Sequence, residues 1–178
     1  MNVNQDIALL ERARAFDPEA LGQIYDAYFE RLCRYAYRFV DDAEAAQDVA
    51  SEALQRLLEE FRAGRAPDHL AAWLYRVAFH LSVDLHRKRP PGEVLPLDSD
   101  VEHPSDADTE ADTEERLARA RVRAALTRLT PEQQNVVVLK FLEGYSNAEV
   151  GALMNKPEGA IKSLQHRALA ALRRALRK

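Results

Sequence analysis

Cysteine is almost missing from this chain: Cys33 is the one thiol in 178 residues. A lone thiol excludes an internal disulfide and any zinc site built from several cysteines, and the expected place for it is a buried core position. Long apolar runs are missing too. No stretch of about 18 apolar residues exists to span a bilayer. The start, MNVNQDIALLERARAF, lacks the basic head and apolar stretch of a secretory signal. These absences point to a reducing, cytoplasmic setting without membrane insertion. Alternating β-branched runs long enough for a sheet are also lacking, while Ala, Leu, Arg and Glu are abundant, so the expected fold class is all-α. Nucleophile elbow, P-loop and HExxH motifs are absent. His80, Asp84 and His86 come near one another on a helix, but a metal site needs more ligands at matched spacing. No catalytic residue, metal, cofactor or small-molecule substrate is expected.

What is present is charge, and it is segregated. Residues 1–90 hold 12 basic and 15 acidic residues, a net of −3. Residues 91–115 hold no Lys or Arg and ten acids, a net of −10. Residues 116–178 hold 13 basic and four acidic residues, a net of +9. The overall net charge of −4 therefore hides a local footprint for a polyanion. Pro90, Pro91 and Gly92 end a helical pattern, and the acid-rich stretch after them cannot bury enough apolar surface to offset its ordering entropy. The expected organisation is a helical domain over 1–90, a flexible acidic linker over 91–112 and a second helical domain over 113–178.

The strongest local signal runs from Gly144 to Lys162. Thr130-Pro131-Glu132-Gln133 upstream of it is a helix start with a capping box, so Val136-Val137-Val138-Leu139 reads as helix despite its β-branched content. Ser146 and Glu149 form a second capping box at the head of a short helix with Val150, Leu153 and Met154 as its apolar stripe. Asn155 stands where a left-handed residue ends a helix, and Pro157 starts another. Gly151 leaves room for the second helix to cross closely. This is the pattern of a helix-turn-helix. On a wheel of about 100° per residue, Ile161, Leu164, Ala168, Leu172 and Ala175 face inward. Gly159, Ser163, His166, Ala170 and Arg173 face outward, with Lys162, Arg167 and Arg174 on the shoulders. That face suits double-stranded DNA, with base edges read from the first turns and phosphates held by the later arginines. In the first domain, Ala71–Arg89 mixes Trp73, Tyr75 and Phe79 with a basic end. Trp73 fits a core, and basic residues among aromatics also suit single-stranded nucleic acid.

Three segments, in order, resemble extracytoplasmic-function sigma factors of the bacterial sigma-70 family. DAEAAQDVASEALQRLLEEF resembles their helix that docks on RNA polymerase, AAWLYRVAFHLSVDLHRKR their segment that melts and reads the −10 promoter element, and the stretch from Leu126 to Arg174 their −35-reading domain. The resemblance implies a region 2-like bundle over 1–90 and a region 4-like helix-turn-helix over 113–178. It implies polymerase contacts at Asp48, Glu52, Leu54 and Leu57. It places the −10 contacts on Arg76, Asp84, Arg87 and Lys88, with Trp73 and His80 in the same segment. It places the −35 contacts on Lys162, Ser163, His166 and Arg167, to which the wheel adds Gly159 and Arg173. Core polymerase and promoter DNA are the implied partners, with an anti-sigma factor as a further one. The chain departs from the family at Phe79-His80, where Arg-Asn is common, at Gln47 and Ser51 of the docking helix, and at Leu164-Gln165. Two other readings stay open: a helix-turn-helix repressor or activator that binds DNA unaided, usually as a dimer, and a sigma-like protein that only regulates other factors.

Overall fold

A computed structural model describes residues 3–88, 120–122 and 124–177, with side chains from residue 8 onward. The described residues are helical with short turns and contain no strand. The chain divides into two compact units, the break falling between Val94 and Leu95. The acidic stretch over 91–112 lies outside the described residues.

The N-terminal unit comprises α1 (Val3–Arg14), α2 (Pro18–Val40), α3 (Ala43–Arg62) and α4 (Leu70–Lys88). Sharp, side-chain-capped turns set these helices. Asp17 accepts from the backbone N–H groups of Glu19 at 2.9 Å and Ala20 at 3.3 Å, with Pro18 next in line where its missing N–H is harmless. A hydrogen bond from Arg12 holds the Asp17 carboxyl below its usual pKa. Asp41 ends α2 in the left-handed region, and Asp42 immediately caps α3 by accepting from Ala45 N–H at 3.0 Å. Two consecutive aspartates thus stop one helix and start the next.

Packing follows the apolar spacing. On α2, Ile24, Tyr28, Leu32, Tyr35, Ala36, Phe39 and Val40 recur at intervals of three and four and are buried. On α3 the facing residues are small, Ala46, Val49, Ala50 and Ala53, and let the helices approach closely before Leu57 and Phe61 fill the far end. Tyr35 meets Tyr75 of α4 edge-on, with centroids 4.9 Å apart, and Phe39 meets Phe79 edge-on at 5.7 Å. Cys33 is half-buried rather than fully enclosed, and burial raises its thiol pKa, which keeps it protonated.

In the C-terminal unit, the described helical residues 120–122 and 124–126 lead to α5 (Pro131–Val137), α6 (Asn147–Met154) and α7 (Glu158–Leu176). Both expected capping boxes are formed, Thr130 with Gln133 and Ser146 with Glu149. Hydrogen bonding with Ser146 lowers the Glu149 pKa, so this box carries a full charge at the positive end of α6. The helix after Thr130 does not run through Leu139 as one regular element. Val138–Leu142 widens into a π-helical turn, closed by Glu143 N–H on the Val138 carbonyl at 3.0 Å. Leu126, Leu129, Val137 and Ala168 form a buried cluster backed by Ala171 and Leu172.

Between α6 and α7, Asn155 takes the left-handed conformation (φ 52°, ψ 47°), and Lys156 N–H donates to the Gly151 carbonyl at 2.9 Å. The Lys156 carbonyl oxygen then lies 2.7 Å from the place a Cβ on residue 151 would occupy. The tight contact at Gly151 is thus with the turn, whereas the expected close crossing by α7 comes only to ordinary contact, 3.8 Å at the Glu158 nitrogen and at Ile161 Cγ1.

Two stability measurements follow. Glycine-to-alanine changes inside a helix ordinarily stabilise by about 0.5–1 kcal/mol, and Gly22→Ala on α2, which meets nothing within 4 Å, is expected to do so. Gly151→Ala must displace backbone instead, and the overpacking term of about 1–3 kcal/mol wins; denaturant melts should show opposite signs. Ser82, fully enclosed on α4, has a side-chain oxygen without a hydrogen-bond partner. Ser82→Ala should raise stability by about 1 kcal/mol, and a loss in the same melts would contradict that unpaired hydroxyl.

Candidate nucleic-acid interface

Ile161, Leu164 and Ala168 turn one side of α7 into the unit's core, which forces the opposite side outward. There Lys162, Ser163, His166 and Arg167 are all exposed and line one open concavity. Gly159 is exposed one turn earlier, with free space where a side chain would stand. The Ser163 hydroxyl donates to the Gly159 carbonyl at 3.0 Å. Arg167 Nε reaches only 3.4 Å from the Ser163 carbonyl, leaving the rest of its guanidinium to solvent. Arg173 is exposed about 9 Å further along the helix axis. The structure thus brings the six expected upstream-element residues onto one cationic strip. Gln165 is half-buried at the core edge, as its wheel position requires.

One residue on this strip escaped the sequence reading. Glu158, the first residue of α7, places Oε1 2.8 Å from Lys162 Nζ. The i,i+4 spacing of acid and base was the available signal. A second ion pair, Lys156 to Glu132 at 3.0 Å, ties the turn before α7 to the head of α5.

On α4, Arg76, His80, Asp84, Arg87 and Lys88 are exposed, and with half-buried Trp73 they occupy an arc of about 120°. Trp73 is therefore neither sealed in the core nor free of it. Phe79, the first of the two departures, is anchored against Phe39 and lies 5.6 Å from the His80 ring. That contact with Phe39 gives the position a packing role, with the exposed His80 imidazole beside it near the middle of the arc. Among the described residues, no group of three or more His, Cys, Asp and Glu side chains could hold a metal ion.

The docking set on α3 does not come together. Asp48 is exposed and Glu52, half-buried, pairs with Arg56 at 2.8 Å on one side of the helix. Leu54 is half-buried about 120° or more from them, and Leu57 is only 1% exposed. Leu57 is corrected from a polymerase contact to a core residue, because a side chain enclosed by its own unit presents no surface to a partner. The apolar match that placed it on a docking face is the same apolar character that buries it. The exposed strip beside Asp48 runs instead through Gln47, Ser51, Gln55 and Glu59, the last two hydrogen-bonded at 3.3 Å. No described helix is long and apolar enough to cross a membrane.

Family comparison meets this geometry in both units. Residues 24–90 match the model for sigma-70 region 2, and residues 125–174 the model for sigma-70 region 4. The chain is 36% identical to the ECF RNA polymerase sigma factor BldN of Streptomyces coelicolor over 178 residues, covering 94% of this chain and 64% of that protein. It is 36% identical to the RNA polymerase sigma-E factor of Streptomyces avermitilis, over 83% of this chain and 79% of the relative. It is 26% identical to the ECF sigma factor SigW of Bacillus subtilis, over 94% and 95% of the two chains. The fold resembles that of CnrH, solved in complex with the cytosolic domain of CnrY, with a TM-score of 0.72, 24% identity and 95% coverage of both chains. With α3 and α4 inside the region 2 match and the helix-turn-helix inside the region 4 match, the chain belongs to the extracytoplasmic-function group of the sigma-70 family of RNA polymerase sigma factors.

Proposed function

We propose that this protein directs core RNA polymerase to promoters by reading two elements, one with each unit, and that it does so in the cytoplasm as a non-catalytic subunit. The observation that carries the reading is the outward strip of α7, on a helix-turn-helix inside the region 4 match. Lys162, Ser163 and His166, near the N-terminal turns, are assigned to base edges of the upstream element. Arg167 and Arg173 are assigned to phosphates, with Gly159 as the point of close backbone approach. The α4 arc, Trp73, Arg76, His80, Asp84, Arg87 and Lys88, is assigned to the downstream element, where unpaired bases stack and cations follow the backbone. Asp48 and Glu52, with half-buried Leu54 at the margin, are assigned to polymerase docking. The domains are taken as 1–90 and 113–178, joined by the acidic stretch 91–112. An anti-sigma factor fits the same reading as an inhibitor that covers the docking surface.

In vitro transcription with core polymerase tests this directly. Template-specific transcripts should require both components, and the protein alone should bind the same DNA weakly. Tight, polymerase-independent operator binding without initiation would instead identify a repressor or activator. Lys162→Ala or Arg167→Ala should weaken binding to the upstream element by about 1–3 kcal/mol where a base is read, and evenly across sequences where a phosphate is held.

The two sides of α3 should separate in a second experiment. Asp48→Arg is expected to lower the affinity for core polymerase while leaving the melt unchanged. Leu57→Ala is expected to cost about 2–5 kcal/mol of stability through the cavity it leaves. An unchanged melt for Leu57→Ala would return that residue to the docking surface.

A further inference from the structure

Glu158 is the one acid on α7, whose other charged residues are Lys162, Arg167, Arg173 and Arg174. Its carboxylate lies 2.8 Å from the Lys162 ammonium. Lys162 lines the concavity shared with Ser163, His166 and Arg167, and its partner Glu158 is exposed one turn earlier on the same helix. At least half of each partner's side-chain surface stays exposed, 50% for Glu158 and 63% for Lys162, and an exposed pair of this kind contributes little to stability. The start of α7 does not depend on it for capping either, since Pro157 holds the N-cap position without any side-chain bond.

An acid is also out of place on a surface that approaches DNA, because the phosphate field repels it. The groups on a duplex that reward a carboxylate are exocyclic amino donors in the grooves. In the major groove adenine presents N6 beside the N7 acceptor, which repels a second carboxylate oxygen. Cytosine presents its N4 amino group without such a neighbour. The first turn of a recognition helix is also the part that contacts base edges. Resting on the reading of α7 as the upstream-element helix, we propose that Glu158 is a specificity-determining residue that accepts a hydrogen bond from the N4 amino group of a cytosine. Lys162, held beside it, offsets the phosphate repulsion and stays within reach of the neighbouring phosphate or purine.

The test is selection from a library randomised across the upstream element, using core polymerase with the full chain. Wild type should select cytosine at one position. Glu158→Gln should shift that position toward adenine, because an amide can pair with both N6 and N7. Glu158→Ala should reduce the preference there by about tenfold, with the other positions unchanged. Identical profiles for all three proteins would overturn the proposal, as would a change spread equally over every position, which marks a charge effect only. Lys162→Ala and Arg167→Ala run alongside separate the two claims. If these change the base preference or lower the overall yield of selected DNA while the Glu158 variants leave the preference unchanged, only this inference falls; if neither preference nor yield changes in any of them, the assignment of α7 to DNA falls with it.

Discussion

The turn between α6 and α7 is governed by a contact that admits a hydrogen atom and excludes a methyl group. Residue 151 gives its carbonyl to Lys156 N–H at 2.9 Å, while the Lys156 carbonyl stands 2.7 Å from the missing Cβ. Asn155 closes the turn in the left-handed region, which costs an asparagine less than most non-glycine residues. Pro157 then launches α7 with its backbone carbonyl, which accepts from Ala160 and Ile161. Once the turn is fixed, the rotation of α7 follows. Ile161, Leu164 and Ala168 take the core side, and Lys162, Ser163, His166 and Arg167 have nowhere to go but outward. The cationic strip is a consequence of turn geometry as much as of its own side chains.

Much of this was legible beforehand because the signals are local. A capping box, a left-handed asparagine and a proline after a helix end act within four or five residues, so their meaning survives without knowledge of the partner helices. The same holds for the inward stripe of α7. What escaped depends on contacts between helices, or on one helix departing from ideal geometry. Val138–Leu142 carries no residue that marks a π-helical turn, yet the turn leaves Phe141 and Leu142 about half exposed, at 50% and 47%. Leu57 is apolar whether it meets a partner or its own core, and only the packing of α3 on its neighbours decides. Phe79 looked like a departure at a reading position, whereas its ring is committed to Phe39.

Charge tells a similar story at longer range. A +9 stretch beside a −10 stretch sums to an acidic chain, and the total conceals the surface that matters. At physiological ionic strength fields fade over about 8 Å, so a polyanion close to α7 responds to Lys162, Arg167 and Arg173 rather than to the average. Within that strip, pairing matters more than counting. Lys162 is already engaged by Glu158, whereas Arg167 leaves most of its donors to solvent. The two cations are thus unequal before any ligand arrives.

On the proposed reading, the two surfaces differ in what they demand of the nucleic acid. The α7 strip projects from a rigid turn and suits the groove of an intact duplex. The α4 arc combines Trp73 and His80 with Arg76, Arg87 and Lys88, and stacking on such rings requires bases that have already left the helix. Opening a duplex costs about 1.4 kcal/mol for each stacked step, and a few stacking contacts of about 1–3 kcal/mol each do not hold several pairs open while also paying for association. Linkage changes that balance. A first contact made by α7 turns the second into an intramolecular event with an effective concentration in the millimolar range for a suitable tether. On the proposed reading, docking on polymerase through the Asp48 side of α3 adds a third attachment. The division of the chain into two compact units joined by an acidic stretch then has a physical purpose: no single surface need bind tightly, and only a site presenting both elements engages them all.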